Sequence, residues 1–75
     1  MLSAEIAARI REAVALGGKA LEGRLPPKSS MPVRNSYAHI WRSIKHEMGR
    51  TYKECDDSDE EKMMSIIRDL VENPR

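Results

Sequence analysis

YAHIWRSIKHEMG, residues 37–49, is the stretch whose reading decides the fold of this chain. Tyr37, Ile40, Trp41, Ile44 and Met48 recur at i, i+3, i+4, i+7 and i+11, which places all five side chains on one face of an α-helix. His39, Arg42, His46 and Arg50 fall on the opposite face. The stretch holds the only Trp and one of the two Tyr, so a core is expected to form around it. Asn35 or Ser36 caps its start, and Gly49 supplies the left-handed residue that stops it.

Working outward toward the C-terminus, Arg50 to Cys55 form a short connection in which Tyr52 is expected to fold back onto the core. Asp56, Asp57 and Ser58 then open another helix, with Glu61 three residues after Ser58 completing a capping box. Met63, Ile66, Ile67, Leu70 and Val71 repeat at helical spacing, and Met64 widens the apolar arc to roughly 160°. An arc that wide is more than one neighbour covers, so part of it is expected to meet a second partner. Asn73 and Pro74 end the helix.

Toward the N-terminus, Ser3 caps a first helix with Glu5 in its opening turn. Leu2, Ile6, Ile10, Ala13, Val14, Gly17, Ala20 and Leu21 keep one stripe as far as Glu22. Glu5 and Arg9 form an i,i+4 pair in the favourable order. Gly17 and Gly18 either end this helix or let another helix come close. The stripe resumes after them, and Gly23 suits the position beyond the C-cap, which favours continuation. Residues 23–35 contain Pro26, Pro27 and Pro32, which exclude both helix and central strand. They read as a linker or surface arm that Leu25, Met31 and Val33 could anchor. The predicted organisation is therefore all-α: an N-terminal amphipathic helix (1–22), a proline-rich arm (23–35) and a C-terminal two-helix hairpin (36–75).

Seventy-five residues without Phe make a small core, and a chain of this size ordinarily needs a staple. One Cys, Cys55, excludes an intrachain disulfide, and His39 and His46 stand too far apart along the helix to share a metal. Oligomerisation is then the expected source of extra burial, with Ile6, Ile10 and Val14 as the interface. Charge is polarised: residues 1–53 hold ten Lys/Arg and four Asp/Glu, whereas residues 54–75 hold three and eight. Such a chain attracts anions at one end and cations at the other. Glu5, Arg9, Arg11 and Glu12 interrupt any apolar run near the N-terminus, so no export signal or membrane span is expected, and the lone thiol points to the cytoplasm.

The string from Tyr37 to Lys45, followed by Met48-Gly49, Tyr52-Lys53-Glu54 and a capped amphipathic helix, resembles the small C-terminal (ORF6C-like) domain of phage antirepressor and Bro-type regulatory proteins. The resemblance covers about residues 36–71. Met48 stands where that pattern carries an aromatic, the Gly-to-Tyr turn is one residue short, and about thirty unrelated residues replace the DNA-binding module of the larger proteins. The likeness implies a phage or prophage regulator. In so small a chain it implies an antirepressor that inactivates a transcriptional repressor by protein–protein contact.

No Ser/His/acid set, phosphate-cradling Gly-rich loop or paired metal motif occurs, so neither catalysis nor a cofactor is expected. Cys55 lies between Glu54 and Asp56, whose charge disfavours a thiolate. The polar face of the second helix, with Arg42, His46 and Arg50, reads as a contact for phosphates or an acidic protein patch, or as a solvated face. Carboxylates at the start of the third helix, Asp57 and Glu60 among them, read as helix-dipole complements or as a contact for a basic surface. They would repel DNA, so the third helix is not a recognition helix. Met64, Ile67 and Val71 are the expected apolar part of a partner surface. Direct nucleic-acid binding by the basic face of the second helix is the alternative function.

Overall fold

The computed structural model describes residues 1–27 and 34–75. Three α-helices carry the fold: α1 (Ala4–Leu21), α2 (Ser36–Met48) and α3 (Glu60–Glu72). Two short 3₁₀ turns, Tyr52–Glu54 and Asp57–Asp59, link α2 to α3, and no strand occurs among the described residues. Met31 and Val33, the expected anchors of the arm, lie outside the described residues. Leu25 is half-buried and packs against the core.

Each end follows from its residues. The Ser3 hydroxyl accepts from the Ile6 N–H and starts α1, and the Asn35 side chain accepts from the Ala38 N–H and starts α2. Gly49, at φ 74°, ends α2 in the left-handed region. The third start departs from expectation. The Asp59 carboxylate, not Glu61, reaches back to a cap N–H, that of Asp56, at 3.0 Å, and α3 proper begins at Glu60. Asp56, Asp57 and Ser58 are all competent caps, and tertiary contact chooses between them. Asp57 is engaged elsewhere, accepting from the Ser3 N–H at 2.7 Å.

Contacts at the helix ends give the packing. The Ser36 hydroxyl, at the start of α2, donates to the Gly18 carbonyl near the end of α1 at 2.6 Å, so these helices run antiparallel. Arg9 pairs with Glu60 at 2.9 Å, and Gly17 lies against Ile67 and Val71, so α3 runs alongside α1 in the same direction. Arg9 thus pairs across helices and not with Glu5. The result is a three-helix bundle with α1 against both other helices, where a separate hairpin was expected.

The core is aliphatic. Ile6, Ile10, Val14 and Leu21 from α1 meet Ile40 and Ile44 from α2, Met63, Ile66, Ile67 and Leu70 from α3, and Cys55. This corrects the interface expected of α1. Ile6, Ile10 and Val14 are 8%, 0% and 1% exposed within the single chain, so they are not surface for another copy. The wide arc of α3 is likewise covered from two sides by α1 and α2. Trp41 and Tyr37 sit at the rim and not at the centre. Leu16, at 65%, is the large apolar side chain of the helices that remains most exposed.

Candidate functional site

With the apolar stripes turned inward, α2 presents its cationic face to solvent at two adjoining recesses. The first is a groove of about 510 Å³ between α2 and the C-terminal end of α3, lined by Arg34, His39, Arg42, Ser43, His46, Glu47, Leu70 and Arg75. Arg34 precedes the cap of α2 and is fixed by two bonds. Its Nη1 donates to the Pro26 carbonyl and its Nη2 to His39 Nδ1, each at 3.0 Å. A guanidinium only donates, so that ring nitrogen is the acceptor. Arg75 comes from beyond α3 and pairs with Asp69 at 3.0 Å. Arg42 and His46 project from successive turns of α2 and are exposed. Arg34 and Arg42 outweigh the one carboxylate of the lining, Glu47, while Arg75 is matched by Asp69, so the groove keeps a positive balance that favours an anion.

The second recess, about 370 Å³, is lined by Trp41 and Tyr52 together with Arg42, Lys45, Thr51 and Lys53. The two rings lie 4.6 Å apart between centroids and tilted by 37°. Arg42 borders both recesses, so they form one surface. Among the described residues Arg42, Lys45 and Lys53 enter no ion pair.

Tyr52 reaches this position because the 3₁₀ turn is tied at its base. The Glu54 carboxylate accepts from the Thr51 N–H at 3.0 Å and from the Thr51 hydroxyl at 2.8 Å. These two bonds, the backbone one first, hold the Glu54 carboxyl below its ordinary pKa, with help from the nearby Lys45 and Arg50 charges. A lowered carboxyl pKa stabilises the turn fully above the ordinary value of 4.5, and the contribution is lost as pH falls through the lowered folded value. Trp41 emission should therefore hold steady from neutrality to mild acid and change below that point. Glu54→Gln should remove this acid step, and an unchanged step in the variant would locate its origin elsewhere.

The remaining residues singled out from sequence are used differently. Arg50 faces Asp59 at 3.3 Å, outside both recesses. Asp57 and Glu60 serve α1, through the Ser3 N–H and the Arg9 guanidinium. Ile67 is 5% exposed and belongs to the core, while Met64 and Val71 are half-buried and pack against it. Of the expected contact residues, the structure brings together Arg42 and His46. Arg34 and Arg75 were not anticipated. Both lie outside the helices, where helical periodicity assigns no face; only their proximity to a cap and a helix end hinted at a role.

Among the described residues no group of three or more His, Cys, Asp or Glu is arranged to hold a metal ion, and no helix is long and apolar enough to cross a membrane. No family model, curated protein or solved structure matches the chain.

Proposed function

We propose that this chain is a small, non-enzymatic cytoplasmic regulator that works by gripping another protein: an antirepressor, of phage or prophage origin, whose partner is a transcriptional repressor. The observation that carries the reading is the cationic surface of α2, where Arg42 and His46 join Arg34 and Arg75 around one groove. The fold hides its apolar stripes within one chain, so recognition falls to charge, and the partner must bring carboxylates. Complementary charge of this kind acts on encounter rate and on partner choice. Asp57 and Glu60 are turned to α1, which favours α2 over the acidic start of α3 as the gripping surface.

The test places a photo-crosslinking residue at position 42 in bacterial cells that carry the repressor. The expected product joins the chain to a DNA-binding protein, and Arg34→Glu with His46→Glu lowers its yield on the order of tenfold or more. The purified chain should also release that protein from its operator. A yield indifferent to both reversals, or no protein product at all, defeats the reading.

A second reading, direct binding of nucleic acid by the same face, is favoured by one feature that a carboxylate-bearing partner does not call for. That feature is the pair of aromatic rings set among three cations.

A further inference from the structure

We propose that the Trp41–Tyr52 recess is a base-stacking site for single-stranded nucleic acid, with the flanking phosphates held by Arg42, Lys45 and Lys53. The inference rests on the nucleic-acid reading of the α2 face and gives that reading its ligand class. Three properties of the recess support it together.

Two aromatic rings and three cations line one opening. An apolar side chain would need only the rings, and a carboxylate only the cations. A nucleotide strand offers a flat ring and a phosphate at every step, which matches both. The cations are also available. Arg42, Lys45 and Lys53 are exposed and stand outside the ion pairs of the described residues, although Glu54 lies close enough to Lys45 to feel its charge. Finally, the strand has somewhere to continue. Arg42 is shared with the neighbouring groove, where Arg34, His46 and Arg75 extend the positive surface along α2.

A duplex does not fit this chemistry, because its bases are stacked inside and cannot reach the side-chain rings. At the acidic start of α3, Asp59 and Glu60 are matched by Arg50 and Arg9, which lowers the repulsion a nearby strand would meet. The contact is small, and about three phosphates predict a modest salt slope, roughly −2 in log K against log salt.

Trp41 is the only Trp, so its emission reports on this recess alone. Three probes are titrated at low salt: a short oligo-dT, the same strand without bases, and a polyglutamate peptide. Oligo-dT is expected to quench Trp41 with the shallow salt slope given above, and the abasic strand to bind on the order of tenfold more weakly. Arg42→Gln with Lys53→Gln, which touch no ion pair of the described residues, should cost oligo-dT a similar factor while leaving the thermal melt unchanged. With a labelled strand read by anisotropy, Trp41→Ala should erase the preference for dT over the abasic strand.

Equal binding of the dT and abasic strands overturns the stacking site but leaves the nucleic-acid reading of α2 standing. Polyglutamate binding without oligo-dT binding overturns both and returns the face to an acidic protein. Silence from all three probes overturns the recess as an anionic site of any kind.

Discussion

Leucine in place of Gly18 is expected to unfold the bundle, and alanine there to destabilise it by about 1–3 kcal/mol. Ordinary helix propensity predicts the reverse, since alanine in a helix interior gains about 1 kcal/mol over glycine. The sign is decided by the neighbour. A Cβ on Gly18 would press into the Tyr37 ring, with its Cγ only 2.8 Å away, too close for any real contact. Ring atoms that near to α2 cannot move aside without dragging the helix, and the Ser36 hydroxyl bond to the Gly18 carbonyl holds the two backbones at this separation. Ser36 is 3% exposed, so opening the crossing would also leave a buried polar group short of its partner. Melts of Gly18→Ala alone and with Tyr37→Ala check the argument. Removing the ring should recover most of the loss, whereas a stabilised single variant would show that the crossing is loose.

Ile10→Ala should cost about 2–5 kcal/mol, the usual range for emptying a fully buried aliphatic site. Ile10 is 0% exposed and sits in the core shared by all three helices. A chain of this length has roughly 4–11 kcal/mol of total stability by the ordinary per-residue range, so the variant approaches the edge of folding. The melting temperature should drop by roughly 8–40 °C. Leu16→Ala, two turns further along the same helix at an exposed position, should stay within about 0.5 kcal/mol of the parent. The pair separates the intrachain core from an interface between copies. If Leu16→Ala costs as much as Ile10→Ala, or if the melts depend on protein concentration, α1 has a second customer.

The contrast between these two residues shows where sequence reading held and where it ran out. The stripes on all three helices, the Ser3 and Asn35 caps and the passage of α1 through Gly17 and Gly18 are legible because helical periodicity and capping are local. Periodicity says that a face is covered, never by which chain. The wide arc of α3 was expected to need a second partner, and α1 of the same chain fills that place. The capping box moved from Ser58 to Asp56 for a similar reason, since three eligible residues stand in a row and a distant backbone N–H at Ser3 selects among them. Arg42 and His46 were legible as a polar face. Their grouping with Arg34 and Arg75 depends on the antiparallel run of α2 and α3, which no spacing within one helix encodes.

Cys55 is wholly enclosed by the bundle although it sits in the connection between α2 and α3, and its Sγ donates to the Thr51 carbonyl at 3.5 Å. Placed there, the single thiol becomes an internal clock for the molecule's openings. An alkylating reagent can reach it only when the α2–α3 connection comes away from the core, so the labelling rate measures how often that happens. If labelling tracks the global melt, the bundle breathes as one body. If it runs faster, the connection that carries Tyr52 lifts by itself, and the aromatic recess has a door that the helices do not share.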